Sequence, residues 1–335
     1  MFKFILAAML VLAFQVSIAG YRFAHVNEVT IESTWKRPGD VATITLPYTN
    51  GALTRAASGR PGIKVGDAVQ IEVGYNGKFS TEFTGFVSAI KPNMPLEIEC
   101  EDMCYLLRKA NLQHPGVSTL AEALALITAA VPGVQLSPDI PNVTLGTMRV
   151  DCTAFNLLEA LRKEKSLVAY FRGNTLYTGL AMSTVPPVTH QYIYGGDRSN
   201  VISTSLSPLS QADDKIKLKA IGKVAKPDGK GFDTIEVELG DADGTLRTLS
   251  FFDVANAEEL KQLAQAYLDK SWIEGYEGGF QTFGWPVARH GDAAKFTDLL
   301  FPERSGEYYI DEVNTTAGLK GWKREVKIGQ RLDLV

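Results

Sequence analysis

The stretch Val65–Cys100, VGDAVQIEVGYNGKFSTEFTGFVSAIKPNMPLEIEC, constrains the fold more than any other part of the chain. Apolar and polar side chains alternate through Val69, Ile71, Val73 and Tyr75, and again through Phe79, Thr81 and Phe83. A period of two puts one set of side chains on one face, so each run predicts a strand buried on a single side. Asn76-Gly77 predicts the turn between them, because both residues accept positive φ at low cost. Register adds a further demand. A plain two-residue loop would oppose Val73 to Ser80 and Ile71 to Glu82, mixing core and solvent faces. An odd-length connection or a bulge opposes Val73 to Thr81 and Ile71 to Phe83, which keeps the apolar set together. The expectation is a bulged hairpin, followed by the strands Phe86–Ile90 and Leu96–Cys100. The stretch reads as a wall, not as a reaction centre.

A chain of 335 residues exceeds the usual single domain, so two or three domains are expected. With 45% hydrophobic and 21% charged residues it has the composition of a soluble globular protein with a sizeable core. The formal net charge of −4 supplies no basic footprint and speaks against sequence-specific nucleic-acid binding. Cys100, Cys104 and Cys152 are too few, and odd in number, for a disulfide framework.

The N-terminus supports two readings. Lys3, the apolar run Phe4–Phe14 and the small residues of Ser17-Ile18-Ala19 fit a secretory signal peptide. Alternatively, Ala19-Gly20 is a two-residue turn that pairs Ile18 with Tyr21 and Val16 with Phe23, both apolar on one face. The pairing favours a first strand, and Met9 is an alternative start. A second hairpin follows, Val29–Trp35 and Val41–Leu46 around Arg37-Pro38-Gly39-Asp40. Tyr48–Gly62 has no period and carries Arg55 and Arg60, so it is expected to be a long rim loop and a candidate interface. Together these elements predict a first antiparallel β-barrel domain, residues 1–110.

Residues 111–190 change character and predict an α+β insert. Thr119 and Glu122 form a capping box ahead of Leu120, Leu124, Ile127 and Val131, and Pro132-Gly133 ends that helix. Thr153 caps a second helix with Leu157, Leu158 and Leu161 on one stripe. Leu167–Phe171 and Thr175–Thr178 predict a hairpin around Gly173-Asn174, and Pro186-Pro187 marks the exit. Residues 191–335 return to strands, with turns at Asp228-Gly229 and Asp243-Gly244. Asn256 caps a helix near 256–271 that carries Leu260, Leu263 and Tyr267. Gly291-Asp292-Ala293 then echoes Gly66-Asp67-Ala68. Glu97 of EIEC lies 31 residues after Gly66, and Glu325 of EVKI lies 34 after Gly291. Matching order predicts a second, similar β-barrel, so the expected fold is mainly β with an α+β insert between two barrels.

Candidate chemistry is sparse. Glu97, Glu99 and Glu101 alternate with Leu96, Ile98 and Cys100, the pattern of a strand face lined by acids that point to solvent or to a lumen. Cys100 and Cys104 lack the further ligands a zinc site needs and read as buried thiols. Asp241-Ala242-Asp243-Gly244 begins like a calcium loop but lacks its closing acid, so it is a turn. Gly275-Tyr276-Glu277-Gly278-Gly279 follows no strand and has no Lys-Ser/Thr, so it is no phosphate cradle. Tyr308-Tyr309, Trp272, Trp285 and Trp322 read as core or interface. No nucleophile elbow, zinc-protease motif or Cys/His pairing occurs. Neither enzymatic activity, a metal nor a cofactor is expected.

The order Gly66-Asp67, Gly74-Tyr75-Asn76-Gly77, Phe83-Thr84-Gly85-Phe86-Val87, Glu97–Asp102 and Leu106–Lys109 resembles the tail hub, or late control D, family of tailed phages. Tyr276-Glu277-Gly278, Pro302–Gly306 with Tyr308-Tyr309, and Val326–Gly329 are similar to that family's second barrel, so the resemblance runs from about Met9 to Gln330. It implies a homotrimer of two-barrel chains that caps a tube of hexameric rings and joins it to baseplate and spike proteins. The implied channel admits DNA or the tape measure protein without specific binding. A virion location, with no membrane anchoring, follows from the same resemblance, and the chain's end soon after the second barrel leaves no room for an appended hydrolase. The readings left open are a hub of a contractile injection system and a secreted or envelope β-rich binding protein, the latter suggested by the signal-like N-terminus.

Overall fold

The computed structural model describes residues 11–47, 62–92, 94–137, 143–165, 167–180, 188–208, 216–225, 232–252, 256–271 and 276–332. The chain is mainly β, with large antiparallel sheets and a small α+β module. Its first part runs β1 (Leu12–Ile18), β2 (Tyr21–Phe23), β3 (Glu28–Thr34), β4 (Val41–Leu46), β5 (Ala68–Tyr75), β6 (Lys78–Lys91) and β7 (Leu96–Glu101), then a short α1 (Cys104–Lys109). Val16 opposes Phe23 and Ile18 opposes Tyr21 across an Ala19-Gly20 turn whose two residues both have positive φ. The apolar face of these residues thus continues the sheet, since β1 also pairs with β5 along its length. The loop with Arg55 and Arg60 falls outside the described residues, as do Pro186-Pro187, Asp228-Gly229 and Trp272.

The expected bulged hairpin is present, but the turn and the bulge are separate devices. Asn76 (φ 52°) and Gly77 (φ 77°) make a two-residue turn, so Val73 opposes Ser80 and not Thr81. One extra residue, Glu82, then shifts the frame, and Ile71 opposes Phe83. Phe79 is consequently on the outer face, 39% exposed. The expected strands Phe79–Phe83 and Phe86–Ile90 are one continuous strand, because Thr84-Gly85 stays extended under the backbone of Glu101.

The module that follows holds β8 (Asn111–Thr119), α2 (Leu120–Ala130), β9 (Gln135–Leu136), β10 (Thr144–Thr153), α3 (Ala154–Lys165), β11 (Leu167–Arg172) and β12 (Thr175–Leu180). Thr119 Oγ1 accepts from Glu122 N at 3.2 Å while Glu122 Oε2 accepts from Thr119 N at 3.3 Å, so the capping box closes both ways. The Thr153 hydroxyl accepts from Asn156 N at the start of α3. Leu120, Leu124 and Ile127 of α2 and Leu157, Leu158 and Leu161 of α3 share one core with β10 and β11. A fully buried side chain of this kind stabilises by about 2–3 kcal/mol.

The chain then resumes with β13 (Thr189–Tyr194), β14 (Val201–Thr204) and β15 (Ser207–Pro208). It next leaves this sheet for β16 (Ile216–Ala225), β17 (Phe232–Gly240), β18 (Thr245–Phe252) and α4 (Ala257–Ser271). These strands form their own sheet, ordered β17-β16-β18, under a separate core of Leu218, Ala220, Leu260, Ala264 and Leu268. Asn256 Oδ1 caps α4 through Glu259 N at 2.9 Å. The buried stripe of α4 is Leu260, Ala264 and Leu268; Leu263 is 41% exposed, and the Tyr267 side chain lies outside the described residues. The sequence reading missed this unit because its strands alternate as the others do. Asp241 O accepts from Gly244 N, confirming the turn.

The last strands are β19 (Tyr276–Glu277), β20 (Gly279–Phe283), β21 (Ala293–Asp298), β22 (Gly306–Gly318) and β23 (Gly321–Arg331). One sheet of thirteen strands runs β14-β20-β23-β22-β3-β4-β7-β6-β5-β1-β2, with β21 paired to β22 and β13 to β21. Among the described residues the pairings close neither half into a barrel. Instead β22 uses one edge twice, pairing β21 over Gly306–Tyr309 and β3 over Glu312–Gly318, which fuses the halves.

The echo between the halves extends to individual hydrogen bonds. Gly66 N donates to Val87 O at 2.8 Å and Val87 N to Asp67 O at 2.9 Å. Gly291 N donates to Ile310 O at 2.8 Å and Ile310 N to Asp292 O at 2.9 Å. In both copies the aspartate carboxylate accepts from the backbone three residues earlier, Lys64 N at 2.7 Å and Arg289 N at 3.0 Å. Both glycines need their positive φ, 96° and 83°. A register shift follows Val87 and Ile310 alike, and Cys100 and Ile328 oppose them. EIEC and EVKI therefore occupy equivalent places.

Candidate functional site

Two buried polar clusters join the halves, and both were invisible as sites in the sequence. The first is created by the β6 bulge. Extra residue Glu82 turns inward and meets Arg324 of β23, Nη2 to Oε2 at 2.7 Å, with both side chains only 2% exposed. Each of the other two Arg324 nitrogens also donates, Nε to Gly284 O at 2.9 Å and Nη1 to Thr315 Oγ1 at 2.7 Å. Ser80 Oγ donates to the other Glu82 oxygen at 3.0 Å. The indole of Trp322 lies beneath, and only a glycine fits at 284, because a Cβ there would sit 1.9 Å from that ring. The one signal in the sequence was Glu82 itself, the residue out of phase with its strand.

The second cluster sits about two residues further along the strands, where the two halves and the α+β module meet. Asp102 accepts from Cys104 N and Asp40 N, both at 2.9 Å, which fixes the start of α1 against the β3–β4 turn. Ser33 Oγ lies 2.7 Å from His290 Nδ1, and Asp40 Oδ1 lies 3.9 Å from the same nitrogen. From the module, Arg172 donates to His290 O at 2.9 Å and to Asp292 Oδ1 at 3.2 Å. His190 Nε2 is 3.0 Å from Asp292 Oδ2, and the Tyr170 ring stands edge-on to His290. Arg289 reaches back to Thr81 O at 3.1 Å.

Ser33, His290 and Asp40 share the composition of a nucleophilic triad but not its geometry. A triad needs its serine and its aspartate on opposite ring nitrogens. Here both approach Nδ1, while the buried Nε2 has no hydrogen-bond partner among the described residues. Burial, reinforced by the positive charge of Arg172, lowers the His290 pKa to about 3, so the ring is neutral at pH 7. Burial pushes Asp40 up to about 6, and burial with the Asp40 charge pushes Asp102 up to about 8. The cluster is a largely buried polar joint between the two halves and the module.

The residues singled out in the sequence are not gathered into one site. Glu97 and Glu99 lie on β7 and pair with Lys91 of β6, so they are part-exposed members of an ion cluster. Cys100 and Cys104 are buried thiols, and burial pushes Cys100 up to about 12. Tyr308, Tyr309 and Trp322 belong to the core, whereas Trp285 is 50% exposed. Among the described residues no three metal-ligating side chains converge, and no helix is long and apolar enough to cross a membrane.

No family model matches the chain, and no curated protein matches it. Solved structures do. A tail protein from Neisseria meningitidis aligns at TM-score 0.63 and 17% identity, over 96% of this chain and 97% of the other. The 43 kDa tail protein of prophage MuSo2 from Shewanella oneidensis aligns at TM-score 0.63 and 15% identity, over 96% and 98%. An E. coli component of the type VI secretion system, itself structurally similar to the T4 bacteriophage tail proteins gp27 and gp5, aligns at 0.56 and 9%, over 94% and 76%. Along almost its full length, the chain has the fold shared by these tail and secretion-system proteins.

Proposed function

We propose that this protein is a structural tail hub. It acts as a homotrimer that caps a hexameric tail tube and joins it to baseplate and spike proteins around a channel. The observation that carries the reading is the duplicated frame, Gly66-Asp67 on Val87 and Gly291-Asp292 on Ile310, built into one sheet. Three chains with two like halves offer six like surfaces, which is what a threefold hub needs to meet a sixfold ring. Residues 1–110 and 191–335 supply those halves and residues 111–190 the insert. The role is non-enzymatic, as the largely buried polar joint suits cohesion and not turnover. A chain of net charge −4 lets DNA pass without holding it, since like charge suppresses phosphate contacts. The protein then resides in the tail, beside tube and tape measure proteins. The likeness to the E. coli secretion component favours a hub of a contractile injection system as the second reading.

Light scattering of the purified chain should give three times its 36.5 kDa mass, and the trimer should bind assembled tube rings. A chain that stays monomeric and ignores such rings would sink the proposal.

A further inference from the structure

One row of directly opposed residues crosses six strands: Gly321 of β23, Gly318 of β22, Glu28 of β3, Thr45 of β4, Glu97 of β7 and Lys91 of β6. Just beyond that row the chain turns twice, once between β22 and β23 and once between β6 and β7. These are equivalent connections of the repeat. The second-half hairpin continues past the Asn314–Glu325 pair, equivalent to Lys91–Glu97, by four further pairs. That extension brings its turn to the same level as the first. Each turn carries a bare apolar side chain at its tip, Leu319 at 95% and Met94 at 74% exposed. They are the two most exposed large hydrophobic residues among those described. At about 4.8 Å per strand, the two tips stand roughly 19 Å apart along one rim.

An exposed apolar side chain standing alone is ordinary on a protein surface; what sets this pair apart is that the two occupy equivalent connections of the repeat and end on one level. At the opposite end β3, β4 and β7 are covered by α1 and the polar joint of Asp40, Asp102 and His290, while β22 begins just after the exposed Leu299, Leu300 and Phe301. The Met94–Leu319 rim is open, and Trp285, 50% exposed, extends it beyond β23. Two like tips on one level call for a partner that presents the same apolar socket twice to each chain.

We propose that this rim is the face of the hub that seats on the tube, with Met94 and Leu319 entering equivalent apolar sockets on neighbouring subunits of a homo-oligomeric ring. The inference rests on the hub reading above and adds to it which end of the sheet meets the ring and through which side chains.

The test uses the full-length trimer and rings of the tube protein encoded in the same tail-gene cluster, with binding followed by interferometry. Met94→Asp and Leu319→Asp should each weaken ring binding by about tenfold or more, and by similar factors. The double variant should abolish binding while keeping the wild-type unfolding temperature and trimeric mass. Leu246→Asp, an exposed apolar residue on the separate β16–β18 sheet, should bind as wild type. If wild-type trimer binds rings and the double variant binds equally well, the rim assignment is overturned and the hub reading stands. If the double variant loses its trimeric mass, the rim is a contact between copies of this chain and the assignment is likewise overturned. Failure of the wild-type protein to bind rings overturns both.

Discussion

Removing the Glu82 carboxylate leaves without a counter-charge a guanidinium that is 2% exposed and whose Nε and Nη1 meet only the neutral acceptors Gly284 O and Thr315 Oγ1. Arg324 cannot reach water without tearing open the contact between β6 and β23. Breaking a buried pair by deleting one partner costs about 3–5 kcal/mol, because the remaining charge stays desolvated. Glu82→Ala should therefore destabilise by about that much, and Arg324→Leu by a similar amount through the stranded carboxylate. Glu82→Leu combined with Arg324→Met should recover most of the loss, since the pair itself earns little over an apolar replacement. The assay is urea unfolding followed by tryptophan fluorescence, with Trp322 as a local reporter because its ring lies 5.3 Å from the Arg324 guanidinium carbon. A double-mutant cycle gives the coupling. A cost below about 1 kcal/mol for Glu82→Ala would mean the carboxylate is solvated, and the bulge would lose its assigned purpose.

Burial holds Asp102 and Asp40 above the ordinary carboxylate range, so their protonated forms favour the fold. Their contribution is complete at low pH and is lost as pH rises through about 6 and then about 8. His290 acts oppositely: its depressed pKa costs stability as pH falls below about 6.5. Between about pH 6.5 and 8 the Asp102 effect remains, and the urea midpoint should fall by an amount worth about 2 kcal/mol; a flat profile there refutes the joint. Thr119→Ala removes the acceptor for Glu122 N and should cost about 1 kcal/mol by the same measurement. Gly66→Ala and Gly291→Ala force a side chain into positive φ and should each cost about 1–2 kcal/mol. The two costs should be similar, because the new Cβ would lie 3.0 Å from the Tyr105 hydroxyl in one copy and 2.9 Å from the Arg172 guanidinium in the other.

The local rules of the chain were readable because they act over a few residues. Strand period fixed the inward face at Val69, Ile71 and Val73, positive φ fixed Asn76-Gly77 and Ala19-Gly20, and reciprocal capping fixed Thr119 and Glu122. The repeat was also legible, since Gly-Asp turns and the EIEC and EVKI strands keep their order. What the sequence left open is how elements far apart in the chain meet. That β3 pairs with β22, opposing Ile31 to Thr315, depends on which strand edges the rest of the sheet leaves unpaired. That residues 216–271 fold aside was hidden, because β16–β18 alternate like any half-buried strand and only packing against Leu260 separates them. The frame demand at Val69–Phe83 predicted a bulge, but its place and its use were set by Arg324, 242 residues away. Only the tertiary structure made Glu82 a bond between the halves, because a single out-of-phase carboxylate has no meaning until its buried partner is in position.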